Sequence, residues 1–338
     1  MLKKAMIMAA GVGSRLESLS SALPKPIVPL ANVPVMDIIT KHLSSFGIID
    51  IIANTHYKAE YIKNHYKDKK YGVNYSFIEE KELSGTAGGL KKCQFFFDKD
   101  SDFIVMSGDG LSDIDINKAY ESHKKSGSIA TLVLKEVPKN LVSIYGIVVP
   151  DKNNYVESFQ EKPPASEAKS NLANTGIYIF NYKIFDYIPE NTFFDFAKNV
   201  FPLLLSDNQK INTFIHKGYW SDIGSINQYK LSNFDLLNHK IKSFIPDVIK
   251  TEKGIYCCGE NVQIDNTAEI IGNCVIGNGC KIGKNVKIID SIIWNNIIIE
   301  KDIIIEDSII LNNLIVQENL KNEILSEDKI KAKENIKV

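Results

Sequence analysis

Residues 11–26, GVGSRLESLSSALPKP, hold the densest chemistry in the chain. A short apolar run, Ala5–Ala10, of the length and bounded character of a buried strand, opens into a glycine-containing loop that then carries Arg15 and Lys25. Backbone N–H groups and two cations so placed suit a polyphosphate. Two common nucleotide motifs fail against it. A dinucleotide fingerprint needs a glycine three residues after Gly13, where Leu16 stands; the nearest P-loop approach, Gly283-Lys284-Asn285, lacks the hydroxyl and has Asn278 where its opening glycine belongs. Two carboxylates, Asp109 and Asp222, each follow an apolar run into a Gly-containing turn. By spacing alone such residues suit a hard cation or a helix cap equally.

These residues need a frame, and the first 240 residues supply an alternating one. Candidate strands are Ala5–Ala10, Asp50–Asn54, Val73–Ile78, Phe103–Met106 and Ile129–Leu134; candidate helices are Pro34–Phe46, Lys58–Tyr66, Ala87–Phe96 and Ile116–Lys125. The first helix opens on a proline and closes at Gly47. The alternation predicts an α/β domain with a doubly wound, mainly parallel sheet. Ligands of such sheets bind at the carboxyl ends of the strands, where the loop after strand one and Asp109 both fall.

After residue 240 the period changes. Positions 262, 268, 274, 280, 286, 292, 298, 304, 310 and 316 are all apolar, and Ile264, Ile270, Ile276, Ile282 and Ile288 form a second column. Stacked hexads, three to a coil, predict a parallel β-helix over 255–317 after a linker at 241–254, with a Lys- and Glu-rich cap at 318–338. An isoleucine-rich sandwich would instead alternate by two and show hairpin turns.

Bulk properties narrow the partners. Of 338 residues, 40 are basic and 41 acidic, for a net charge of −1, so charged small molecules fit better than nucleic acid. Lys3-Lys4 and the following apolar stretch imitate a secretory signal, but the stretch is short and better used as a strand. No apolar run approaches the ~20 residues of a membrane helix. Five cysteines without metal-ligand spacing suit a reducing cytoplasm, with the adjacent Cys257 and Cys258 read as structural.

The loop with Arg15-Leu16 and Pro24-Lys25-Pro26 resembles the signature of the sugar-phosphate nucleotidyltransferases. Further family segments recur in order: Gly85-Thr86-Ala87-Gly88, Gly108-Asp109, Glu161-Lys162-Pro163, Asn174-Thr175-Gly176 and Trp220-Ser221-Asp222-Ile223-Gly224. Within the family the chain looks most like bacterial mannose-1-phosphate guanylyltransferases with a C-terminal β-helix. It departs from the pattern at Ser18, usually proline, and at Ser14, often threonine. The resemblance implies a Rossmann-like domain and a left-handed β-helix. It also implies the reaction: a nucleoside triphosphate and a sugar 1-phosphate give a nucleotide-sugar and pyrophosphate.

On this resemblance, Ala10, Gly11, Gly13, Ser14, Arg15, Glu80, Gly85 and Thr86 bind the nucleotide, with Arg15 toward the leaving pyrophosphate and Lys25 nearer the α-phosphate. Asp109 and Asp222 hold Mg²⁺. Lys162 meets the sugar phosphate, and Glu161, Asn174 and the backbone at Gly146 meet sugar hydroxyls. Family members specific for uracil or thymine often carry glutamine five residues before the motif glycine, where this chain has Glu80. A carboxylate only accepts, and guanine offers adjacent donors at N1 and N2, so GTP is favoured, with mannose 1-phosphate as acceptor. Glucose-1-phosphate thymidylyl or uridylyl transfer and heptose-1-phosphate guanylyl transfer are the alternatives.

Two other classes compete. Hexad β-helices are frequent in acyltransferases that take a histidine base from the helix, but all six histidines precede the repeat, which is therefore read as an oligomerisation or regulatory surface of a homo-oligomer. A non-catalytic nucleotide-sugar-binding regulator would have lost the phosphate-facing charges, and Arg15, Lys25, Asp109, Lys162 and Asp222 are all present.

Overall fold

A computed structural model describes residues 1–329 except Val12, Glu17 and Lys69. Contacts divide the chain into two compact units. One comprises Met1–Val12, Pro24–Pro26 and Met36–Asp222; the other comprises Gly13–Leu23, Ile27–Val35 and the chain from Ile223 onward. The units therefore do not follow the chain linearly, and 223–240, which the sequence pattern grouped with the α/β domain, pack with the coil.

The first unit is built on a nine-stranded sheet. Its strands are β1 (Lys4–Met8), β2 (Asp50–Thr55), β3 (Asn74–Glu79), β4 (Asp102–Ser107), β6 (Ala130–Glu136), β7 (Gly146–Pro150), β8 (Val156–Glu161), β9 (Leu172–Asn181) and β10 (Ile211–His216); β5 (Gly110–Ser112) and β11 (Trp220–Asp222) form a separate ribbon. Strands β3, β2, β1 and β4 lie side by side and parallel. Ala5, Met6 and Ile7 of β1 are fully buried, as a strand covered on both faces must be. The neighbours of β1 come from later in the chain on both sides, and a strand order that reverses in this way leaves a crevice at the carboxyl ends of β1 and β4.

Beyond β4 the sheet turns antiparallel. Strand β9 pairs with β4, β6 and β7, and β7 with β8, while β10 runs parallel to β6. The sequence reading had no strands at β7 to β10. Helices α1 (Val35–Ser45), α2 (Ala59–His65), α3 (Gly85–Lys92) and α4 (Ile116–Ser126) fall where periodicity put them, within a few residues. Helix α4 shows why its ends are legible: Asp115 accepts from the Lys118 N–H at 3.1 Å, and Gly127 closes it with φ 63°.

In the second unit the repeat forms the left-handed parallel β-helix, with three ladders of short strands. The register advances by 18 residues between the first coils, then by 17, then by 15, as hydrogen bonds from Glu260 to Asn278, Asn295 to Asn312 and Ile304 to Asn319 mark. The unbroken period of six therefore fails as a core column. Ile298 and Ile304 point outward, 40% and 41% exposed, while Ile297, Ile299, Ile303 and Ile305 fill the interior. The shift arises at two tight corners, where Asp290 and Asp307 take φ 45° and 48° and are followed by fully buried Ser291 and Ser308. The Ser308 N–H donates to the Ser291 oxygen at 3.0 Å, so the serines stack in place of a hydrophobic residue.

Ile249–Lys250, within the expected linker, pairs with Ile255 and Tyr256. Leu320–Lys321 and Ile324–Leu325, in the expected cap, continue the coil; residues 330–338 of that cap lie outside the described residues.

Helix α5 (Ile226–Leu237) packs with the coil through fully buried Tyr229, whose hydroxyl donates to Pro29 O and accepts from Trp294 Nε1, both at 2.9 Å. A hairpin of Pro29–Leu30 and Val33–Pro34 turns through Ala31 and Asn32, both at positive φ. Its Ala31 N–H donates to Asn233 at 2.8 Å, and the Asn32 side chain to Ile276 O at 2.8 Å.

All five cysteines are free, and burial pushes Cys93, Cys257 and Cys274 up to about 12 and Cys258 to about 11. They act as small apolar residues. No helix among the described residues is long and apolar enough to cross a membrane.

Candidate functional site

Three charges far apart in the chain, at positions 25, 109 and 222, meet at the crevice. Lys25, 8% exposed, ion-pairs with Asp109 through Nζ and lies 4.0 Å from Asp222 Oδ1. The ribbon places the two carboxylates: β11 pairs with β5 as Trp220 with Ser112, Ser221 with Leu111 and Asp222 with Gly110. Asp222 is thus level with the residue after Asp109. The Gly108 N–H donates to Met8 O at 2.9 Å, and a Cβ on Gly108 would lie 2.8 Å from that oxygen, so the turn before Asp109 lies against the end of β1 only as glycine.

Burial pushes the Asp109 carboxyl up, but the Lys25 charge and the hydrogen bonds from Lys25 and Ser107 outweigh it and hold the group below its ordinary value. It stays ionised, a hard oxygen donor. Ser107, which the sequence reading missed, donates to Asp109 Oδ1.

The sugar-side residues form a second group. Gly146 and Glu161 are paired, and the Lys162 ammonium lies 3.8 Å from Glu161 Oε1, both side chains more than half exposed. Lys162 itself has φ 45°, and its N–H donates to Tyr145 O at 3.1 Å. Asn174 donates to the Tyr178 hydroxyl at 3.1 Å and accepts from the Gly176 N–H at 3.2 Å. Trp220 connects the groups: its Nε1–H donates to Thr175 O at 3.2 Å, and its ring lies 5.1 Å from that of Tyr145.

Other expected nucleotide residues are occupied by structure. Gly85 has φ 79°, and a Cβ there would meet Phe194 O at 2.4 Å; the Thr86 hydroxyl donates to Asp195 at 2.8 Å and accepts from the Phe196 N–H at 2.9 Å. Glu80 departs furthest from expectation. Its side chain is 1% exposed, with Oε1 accepting from Asn54 Nδ2 at 2.7 Å and Oε2 from Ser84 N–H at 3.1 Å, the Ser84 hydroxyl and Lys92 Nζ at 3.0 Å. Both oxygens are used, so the argument that Glu80 reads guanine loses its support. Asn54 in turn accepts from the Ala9 N–H at 3.0 Å, beside Ala10 and Gly11. Gly13, Ser14 and Arg15 belong to the second unit, where Gly13 (φ 70°) leads into the turn Ser14–Leu16 and Arg15 is exposed.

The nucleotidyl transferase family matches over residues 4–238, which include all three of these charges. This chain is a sugar-phosphate nucleotidyltransferase. The transferase hexapeptide family, six repeats, matches over 258–290.

Nucleotidyltransferase relatives differ in what their names say they act on. A UTP–glucose-1-phosphate uridylyltransferase of Synechocystis is 37% identical over 298 residues, 82% of this chain and 76% of that protein. A mannose-1-phosphate guanyltransferase of Candida albicans is 34% identical, covering 79% and 73%. HddC from Yersinia pseudotuberculosis, solved in complex with GMP-PN, superposes with TM-score 0.60 at 30% identity, over 69% of this chain and 98% of that one.

Proposed function

We propose that this nucleotidyltransferase condenses GTP with mannose 1-phosphate to give GDP-mannose and pyrophosphate. The observation that carries the transferase chemistry is the meeting of Lys25, Asp109 and Asp222. The guanine and mannose choice is supported by the guanyltransferase names among the relatives and by the guanine nucleotide in the HddC complex. A sugar-phosphate oxygen attacks the α-phosphorus as the bond to the pyrophosphate oxygen breaks, so no side-chain nucleophile is needed. What the chain must do is align two polyanions and offset their repulsion. Lys25 meets the α-phosphate from the crevice, and Lys162 the phosphate of the incoming sugar. Glu161 and Asn174 accept hydrogen bonds from sugar hydroxyls.

The family's divalent cation fits this donor set. Asp109 and Asp222 both face the Lys25 ammonium, so a cation there would meet two carboxylate oxygen donors, the kind Mg²⁺ takes beside phosphate and water ligands. Bound by Asp109 and Asp222, Mg²⁺ would neutralise charge developing on phosphate oxygens.

A second reading, uridylyl transfer to glucose 1-phosphate, is favoured by the Synechocystis relative. Pyrophosphate release with GTP, UTP, dTTP, ATP and CTP against mannose, glucose and heptose 1-phosphates decides. A kcat/KM at least tenfold higher for GTP with mannose 1-phosphate is expected, and a preference for UTP with glucose 1-phosphate overturns it.

A further inference from the structure

At the Ser112–Trp220 end of the ribbon lies a buried acid and imidazole that the reaction does not use. Asp113 Oδ1 accepts from the Tyr219 N–H at 2.6 Å, and the Asp113 N–H donates to Tyr219 O at 3.2 Å. His216 Nε2 lies 2.9 Å from Tyr219 O and 3.2 Å from Asp113 Oδ1. Both of those atoms are acceptors, so Nε2 carries the proton and Nδ1 accepts, here from the Gly218 N–H at 3.4 Å. Both side chains are 6% exposed. Gly218 completes the packing: a Cβ there would lie 2.2 Å from Asp113 Oδ1 and 2.6 Å from His216 Cε1.

The ribbon itself has three residue pairs, and an isolated two-stranded ribbon is marginal in stability. Its register matters, because a slip of one residue turns every side chain of that strand to the opposite face and would part Asp222 from Asp109. We propose that Asp113 and His216 are positioning residues, a clamp that fixes the register of the ribbon and thereby the separation of Asp109 and Asp222. The proposal rests on the reading of those two carboxylates as cation ligands. Burying a carboxyl group is costly unless its hydrogen bonds are supplied, and here the Tyr219 N–H, beside the strand whose register is to be fixed, supplies one.

The test is Mn²⁺ binding to the full chain, followed by electron paramagnetic resonance, beside steady-state kinetics. Asp113→Ala and Gly218→Ala should each weaken Mn²⁺ binding about 10- to 100-fold, as loss of outer-shell support does, and lower kcat while the KM for sugar phosphate stays within about twofold. Asp113→Asn keeps an acceptor for the Tyr219 and His216 donors and should recover most of the affinity. Wild-type Mn²⁺ affinity in folded Asp113→Ala or in Gly218→Ala overturns the clamp, as does Asp113→Asn binding no better than Asp113→Ala. If Asp113→Ala does not fold, Gly218→Ala decides: wild-type Mn²⁺ affinity there overturns the clamp, and so does Asp113→Asn binding no better than Gly218→Ala. Unchanged Mn²⁺ affinity in Asp109→Asn and Asp222→Asn would instead overturn the cation-site reading, a separate result.

Discussion

Replacing Glu80 by glutamine separates two roles, reading the base and bracing the loop, that the residue type alone leaves confounded. Glutamate offers two acceptor oxygens, one taken by Asn54 and the other by Ser84 and Lys92. Glutamine offers one. Whichever way its amide turns, an NH₂ group faces either the Asn54 amide or the Ser84 and Lys92 donors. Rotating Asn54 moves the conflict to the Ala9 N–H, which donates to Asn54 Oδ1 at 3.0 Å. One buried donor left unmatched costs about 1–3 kcal/mol. The Lys92 pair, with Lys92 34% exposed, adds at most about 1 kcal/mol. For a domain of this size a loss of about 1–4 kcal/mol lowers Tm by roughly 2–16 °C.

The pH dependence follows in sign. Burial pushes the Glu80 carboxyl up, but hydrogen bonds from Ser84, Asn54 and Lys92 outweigh it, and the group is held below its ordinary 4.5. Its stabilisation is complete above that value and fades as pH falls through the lower folded value. The gap between wild type and Glu80→Gln should therefore be widest near pH 7 and narrow in acid. Calorimetry from pH 3.5 to 7.5, with GTP and UTP kinetics at pH 7.5, reads both roles. The expected variant is less stable, with its GTP/UTP ratio unchanged within about threefold. A variant of wild-type stability whose preference moves toward UTP would refute the bracing role and restore Glu80 as the base reader.

Other perturbations should behave as follows. Lys25→Met should cut kcat about 10²- to 10³-fold. Its Tm should fall by less than about 5 °C, since Asp109 and Asp222 keep 26% and 29% of their side-chain surface in solvent; wild-type turnover would remove Lys25 from the chemistry. In the coil, Ile298→Ser should cost under about 0.5 kcal/mol and Ile299→Ala about 2–5 kcal/mol in urea denaturation, the reverse of what a strict period of six requires. Tyr229→Phe leaves Pro29 O and the Trp294 N–H without their shared hydroxyl, and a loss of about 1–3 kcal/mol in the same assay is expected.

Local features were legible in the sequence, and non-local ones were not. Helix Val35–Ser45 was readable from its opening proline and from Gly47, whose φ is 80°, and the apolar runs of β1, β2 and β4 from burial on both faces. Strands β7 and β8 were missed because half-exposed positions interrupt their patterns. The coil was recognised but its phase misread. Isoleucines at 297, 298, 299, 303, 304 and 305 offer an apolar residue in every register, so the dropped residue at each Asp-Ser corner leaves no gap in the column. In the site, Lys25, Asp109 and Asp222 were found through motif order. Asp113 and His216 carry no local signal, since Asp113 meets the N–H of Tyr219, 106 residues away. Glu80 was noticed for its residue type, yet its partners Asn54 and Lys92 decide its work.

The hairpin at 29–34 has a consequence for how this enzyme can be dissected. Its Ala31 N–H ends on Asn233 and its Asn32 amide on Ile276, while the residues immediately preceding its unit's segment are Pro24, Lys25 and Pro26. Cutting the chain at residue 240 would keep the first of these anchors and discard the second. A chain ending there would hold residues 29–34 at one point instead of two, so this early hairpin belongs to the solenoid's own unit and should gain hydrogen exchange when the repeat is removed.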